Sequence, residues 1–101
     1  MYRAPVDEIA HTLKSVAGLR KALEAGRFGD LGEDIVDAIL AEAGRFSSDE
    51  IAPLNEIGDK HGAVLKDGAV TTPPGWKKLY QDWVAGGWNG LTGPEDFGGQ
   101  G

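Results

Sequence analysis

The chain has 101 residues, 41% hydrophobic and 26% charged, an ordinary soluble profile with room for one domain and little surplus stability. Its net charge of −6 repels polyanions on average, and no basic stripe offsets that, so DNA and RNA are poor partners. The lack of cysteine excludes disulfides, thiol catalysis and thiolate metal sites. No run approaches the ~20 apolar residues that span a bilayer. The opening Met1-Tyr2-Arg3-Ala4-Pro5 lacks the apolar stretch of a secretory signal, so a cytoplasmic protein is expected.

The first predicted helix follows Pro5. Proline suits a first helical turn, and Asp7 and Glu8 complement its positive end. Val6, Ile9, Ala10, Leu13 and Val16 or Ala17 recur at helical spacing until Gly18. A short second segment over 19–25 places Leu19, Ala22 and Leu23 on one side. Gly26, Gly29, Asp30 and Gly32 then mark a loop. The longest element is predicted over 33–61, with Glu33 and Asp34 in its first turn, Lys60 and His61 in its last, and Gly62 as its stop. Its apolar face reads through Ile35, Ile39, Ala43, Phe46, Leu54, Ile57 and Gly58, and Glu56 and Lys60 are spaced for an ion pair. Pro53 interrupts this pattern, since it lacks an N–H and crowds the carbonyl of Asp49. The helix either breaks near Ser47-Ser48 or kinks and continues. The apolar face resumes in register, which favours continuation.

Asp67-Gly68 between short apolar runs predicts a hairpin turn. Thr72 is the expected cap of the next helix, which Pro73-Pro74 leads into and Gly86-Gly87 ends. Trp76, Leu79, Tyr80, Trp83 and Val84 form one dense stripe on it, and Trp88 and Leu91 follow in an irregular segment. The last eight residues, Pro94 to Gly101, are acidic, aromatic and glycine-rich, with no helix stop or closing strand. Such an ending suggests a piece of something longer.

Most chemical constellations have a plainer reading. His11 and His61 read as surface histidines, because no HxxxH or HExxH spacing exists. No calcium-loop pattern occurs. Asp7-Glu8 and Glu33-Asp34 sit where helix starts favour negative charge. Asp49-Glu50 and Glu95-Asp96 are the other acid pairs, and paired-carboxylate catalysis requires two acids facing each other across a cleft. Glu95-Asp96 reads as part of a turn, with an acid pair at a catalytic site as the sharper alternative. Gly99-Gln100-Gly101 opens a possible dinucleotide fingerprint but follows no strand. No Walker A sequence exists, and none of Ser15, Ser47 and Ser48 lies in a nucleophile elbow. The aromatic stripe reads as core. Its alternatives are a stacking platform for a base or flat cofactor, and a docking surface for further domains, with Trp83, Trp88 or Phe97 on it.

Several segments together resemble the flavin-dependent acyl-CoA dehydrogenases. Phe46-Ser47-Ser48-Asp49-Glu50-Ile51-Ala52-Pro53-Leu54-Asn55 resembles that family's proline-bearing long helix, F-A-x-E-x-I-A-P-L, which Asp59 and Gly62 close in similar fashion. Gly87-Trp88-Asn89-Gly90-Leu91, followed by Pro94-Glu95-Asp96-Phe97-Gly98-Gly99-Gln100-Gly101, is similar to the run G-W-x-G-L … P-E-E-Y-G-G-x-G. Asp96 stands where glutamate is commoner and Phe97 where tyrosine is, which removes a hydroxyl. The opening Tyr2-Arg3-Ala4-Pro5-Val6 and the Asp67-Gly68 hairpin resemble the extended branch, some of whose members act on methylthio-substituted propionyl-CoA.

The resemblance spans nearly the whole chain but only the family's amino-terminal helical domain. It implies an all-α fold over 1–101: a small helical bundle with one long proline-containing helix and a minor β-hairpin. It implies FAD and acyl-CoA in the parent enzyme, with the flavin contacts and the catalytic base in missing β and C-terminal domains. This domain is then expected to wall one side of the acyl-CoA and flavin cleft. No catalytic, cofactor-binding or metal-binding residue is assigned here, Glu95 included. Alone, the chain is expected to be inactive, to bind no FAD and to self-associate. The alternative is a stand-alone helical interaction module using the Trp76–Trp88 surface.

Overall fold

The computed structural model describes all 101 residues, 1–101. The fold is small and mostly helical, with one two-stranded antiparallel hairpin. Helix α1, Val6–His11, passes into a π turn at Thr12–Val16. Helix α2 covers Leu19–Glu24 and α3 covers Glu33–Phe46. A second π turn, Ser47–Ile51, leads into α4, Ala52–His61. Strands β1, Val64–Lys66, and β2, Ala69–Thr71, precede α5, Trp76–Ala85. Two 3₁₀ turns, Trp88–Gly90 and Glu95–Phe97, complete the chain. Contacts divide it into two compact units, Met1–Ala52 and Pro53–Gly101.

In the first unit, α1 starts without a side-chain cap, and Asp7 and Glu8 sit in its first turn. The Ala17 amide closes the π turn on the Thr12 carbonyl at 2.8 Å. Gly18, at φ 81°, then turns the chain left-handed, which ends one helix and starts the next at little steric cost. The buried apolar side chains are Val36 and Phe46, 8% and 6% exposed. The predicted inward face of α3 is thus rotated by one residue at its start: Ile35 is 46% exposed and Val36 is inside. Gly44 explains the shift. It is buried, and a β-carbon there would collide with the Val6 side chain, so the start of α1 lies close against Gly44 of α3. Lys14 pairs with Asp37 at 2.5 Å and Arg20 with Glu33 at 2.6 Å, tying the first helices to α3. The Ala4 amide donates to Ser48 Oγ at 3.0 Å.

The helical run continues past Pro53, as its resumed face suggests, and the two π elements were not visible in the sequence. The π turn is the local adjustment. The Ala52 amide bonds the Ser47 carbonyl, five residues back, and this wider turn gives room beside the Asp49 carbonyl that a proline ring would otherwise crowd.

In the second unit, Glu56 and Lys60 form the predicted pair at 2.5 Å. Such an exposed pair contributes ~0.3–0.5 kcal/mol. Val64 pairs with Thr71, Leu65 with Val70 and Lys66 with Ala69 across the Asp67-Gly68 turn. Both turn residues have positive φ, 52° and 77°, as a two-residue type I′ hairpin requires. The expected Thr72 cap does not form. Gly75 is the N-cap of α5 and no side chain caps it; the Trp76 amide instead bonds the Pro73 carbonyl at 3.2 Å. Gly58 on α4 faces the Trp76 indole, and an added β-carbon would approach its Cζ2 to 2.5 Å. The Trp76 Nε1–H points to the Leu54 carbonyl at 3.4 Å.

Candidate functional site

The segment from α5 to Gly101 gathers most of the residues singled out from the sequence. Helix α5 ends where the Gly86 amide bonds Asp82 at 2.9 Å and the Gly87 amide bonds Val84 at 3.0 Å. The tail then folds back on itself. Gln100 N–H donates to Gly90 and Gly101 N–H to Gly93, each at 2.9 Å. The Gln100 side chain adds Nε2–H to the Gly87 carbonyl at 2.8 Å. A β-carbon at Gly99 would land on the Gly93 carbonyl, so the two backbones meet there without side chains. Gly99-Gln100-Gly101 follows a 3₁₀ turn with no strand before it, which removes the context of a dinucleotide fingerprint. The glycines serve backbone closure.

Glu95 and Asp96 lie in the 3₁₀ turn, adjacent in sequence and both exposed. The Gly98 amide bonds the Glu95 carbonyl at 2.9 Å. Phe97, 88% exposed, follows them. Beside the turn lies an open recess of about 420 Å³, bordered by Val84, Asn89, Pro94, Phe97, Gln100 and glycine backbone. No Lys, Arg or His borders it. Trp83 and Trp88 stack with ring centres 5.8 Å apart and planes at 27°.

The aromatic stripe of α5 is not a closed core. Trp76 is 43% and Tyr80 66% exposed, with Leu79 and Trp83 half-buried. The stripe has more apolar surface than α4 and the loop can cover in this chain. Its helical spacing was legible, but periodicity gives direction and not the supply of partners.

The remaining candidates are dispersed. His11 and His61 are exposed, the latter with Nδ1 3.0 Å from the Ile57 carbonyl. No three His, Asp or Glu side chains converge as a metal site. Asp49 and Glu50 face Arg45 at 4.0 and 3.5 Å. Arg45 also holds Glu42 at 2.8 Å, and that hydrogen bond keeps the Glu42 carboxyl below its ordinary pKa. These are exposed ion pairs along one helical stretch. Two contacts were missed in the sequence: the Gln100 latch and the Ser48 anchor for Ala4. Neither has a local signature, since each partner lies at least 13 residues away.

A flavin site would call for polar donors aimed at the ring edge and cations near the pyrophosphate. The residues present do not make one. Asn89 and Gln100 are the polar side chains at the recess, Gln100 Nε2–H is already held by the Gly87 carbonyl, no Lys or Arg borders it, and no buried polar side-chain atom lacks a partner.

Fold and site thus define a small helical segment with a self-closed glycine loop and a largely uncovered aromatic face. No model of a known protein family matches the chain. It is, however, 36% identical over 100 residues to the 3-methylmercaptopropionyl-CoA dehydrogenase of Ruegeria pomeroyi. The alignment takes in 99% of this chain and 17% of the relative, so the chain spans about one sixth of the length of the curated protein it matches. This likeness to part of an acyl-CoA dehydrogenase agrees with the resemblance carried by the Pro53 helix and the Trp88–Gly101 run.

Proposed function

We propose that the chain is the amino-terminal helical part of an FAD-dependent acyl-CoA dehydrogenase, which oxidises an acyl-CoA thioester across its α,β-carbons. The carrying observation is the 36% identity across nearly the whole chain to a dehydrogenase about six times longer. In such a reaction a placed base takes the α-proton, and bound FAD supplies the hydride acceptor. Both belong, on this reading, to β and C-terminal domains outside these residues. The share of this chain is to wall the acyl-CoA and flavin cleft and exclude water from it. No residue of the chain, Glu95 and Asp96 included, takes part in the chemistry. A methylthio-substituted propionyl-CoA is the proposed acyl group, by analogy with the relative's name. The cytoplasm is the proposed compartment; no helix is long and apolar enough to cross a membrane.

The test uses the complete reading frame that contains this chain. Its product should carry FAD and reduce an electron acceptor with an acyl-CoA, while residues 1–101 alone should be colourless and inactive. A reading frame that ends at Gly101 would overturn the proposal, as would stoichiometric FAD on residues 1–101. Glu95→Gln in the complete enzyme should leave turnover within about threefold, against the 10²–10⁴-fold loss typical of a removed acid–base group.

A second reading rests on the exposure of Trp76 and Tyr80. The chain would then be a stand-alone helical module that binds a protein through its Trp76–Trp88 surface. A native stop codon after Gly101, with Trp76→Ala or Tyr80→Ala abolishing capture of a defined partner, would establish it.

A further inference from the structure

We infer that the Glu95–Phe97 turn is an anchor that docks into an apolar hollow rimmed by Lys or Arg, presented by the part of the enzyme beyond these 101 residues. The inference rests on the reading of the chain as part of a longer dehydrogenase. Three observations carry it.

The first is rigidity. The Phe97 amide bonds the Pro94 carbonyl at 3.1 Å, and the Gly99 amide bonds the same oxygen at 3.0 Å. Gln100 and Gly101 fasten the outgoing chain to Gly90 and Gly93, and the Gln100 side chain fastens it to Gly87. A loop held this way has already lost the freedom that docking would otherwise remove.

The second is exposure. Phe97 is 88% exposed, the most of any large apolar residue inside the chain's ends. A flexible loop could fold such a ring inward. This turn is fixed and carries the ring outward, beside the recess bordered by Val84 and Pro94. Ring and recess together form a knob and a hollow, which suits interlocking with a partner surface. A rigid aromatic seated in a pocket is the commonest kind of interface anchor.

The third is charge. Glu95 and Asp96 immediately precede Phe97, and neither takes part in any ion pair of the chain. Two unpaired carboxylates next to an anchoring ring call for a cationic rim on the occupant. A second copy of this chain, with net charge −6, is a poorer match.

The experiment replaces Phe97 with the photo-crosslinking residue p-benzoylphenylalanine in the product of the complete reading frame. Irradiation and peptide mapping should give one dominant intramolecular cross-link, to a segment past residue 101 that contains Lys or Arg. In parallel, Phe97→Ala and the double change Glu95→Lys with Asp96→Lys should each speed protease nicking near residue 101 at least threefold, and Phe97→Tyr should not. A cross-link only to solvent or to another polypeptide, or a covering segment without basic residues, overturns the inference. Turnover of the unsubstituted enzyme separates the two claims. Activity without the cross-link leaves the dehydrogenase reading standing and removes the anchor; the cross-link in an inactive, flavin-free protein does the reverse. A frame ending at Gly101 removes both.

Discussion

A β-carbon at Gly99 has nowhere to go, because the Gly93 carbonyl occupies its place and is itself bonded by Gly101. Gly99→Ala should therefore force the tail off residues 90–93 and cost about 1–3 kcal/mol, the usual scale of overpacking. Chemical denaturation checks the magnitude, and loss of amide-exchange protection at Gln100 and Gly101 checks the location. Unchanged protection at both amides would contradict it. Gly58→Ala meets a different obstacle, the flat Trp76 ring, which can tilt at the expense of its Nε1–H contact to Leu54. A smaller cost is expected there, together with a shift in tryptophan emission. Electrostatics at this scale are local. The Arg45 guanidinium lowers the Glu42 pKa in the folded chain, so its contribution is present above the ordinary carboxylate range and fades as pH falls through the lowered value. Arg45→Ala should raise the Glu42 titration midpoint in NMR, and an unmoved midpoint would show that the pair does not form.

At the scale of elements, Pro53 shows how one residue reshapes several. The Ala52 amide is drawn to Ser47, and the residue that could serve the Ser48 carbonyl from five positions on is the proline itself, which has no N–H. The π turn thus costs one helical bond. Pro53→Ala restores a donor at that point and should stabilise the chain by about 1–3 kcal/mol. A denaturant midpoint measures the gain, and a slowly exchanging amide at position 53 ties it to the new bond. A variant no more stable than the parent chain would show that the π turn has another cause. The sequence signals divide along the same line. Gly18, Gly62 and Asp67-Gly68 announce their conformations locally, because few residues tolerate positive φ, and those boundaries were readable. The π turns were not readable, since no residue type marks a helical turn widened by one residue. Thr72 carried the chemistry of a cap, yet the Pro73 carbonyl and Gly75 made the turn first. The start of the α3 face was misplaced because Gly44 admits Val6, a tertiary contact that no window around Ile35 contains.

For the whole molecule, the balance between covered and uncovered apolar surface decides behaviour. Val36, Phe46 and Pro73 are the buried apolar side chains, and no side chain is less than 2% exposed. Against them stand Leu65, Val70, Trp76, Tyr80 and Phe97, all exposed. Ordering a residue costs ~1–2 kcal/mol of backbone entropy, which apolar burial must offset. A chain that buries so little should be marginal alone, below the ~5 kcal/mol at the lower end for native domains. Removing one of its few buried side chains should then be decisive: Phe46→Ala, at about 3–5 kcal/mol, should unfold residues 1–52 outright at 25 °C. The same uncovered surface should drive association. Residues 1–101 should sediment as mixed species whose average mass rises with concentration, and their melting temperature should rise with it by mass action. Attachment to the rest of a dehydrogenase acts in the same direction without concentration dependence, because the covering surface is then intramolecular. The complete product should therefore be more stable than residues 1–101 and hold a constant oligomeric mass on dilution. A strictly monomeric 1–101 chain with a sharp, concentration-independent melt would mean that its aromatic face requires no cover, and would count against its being part of a larger enzyme.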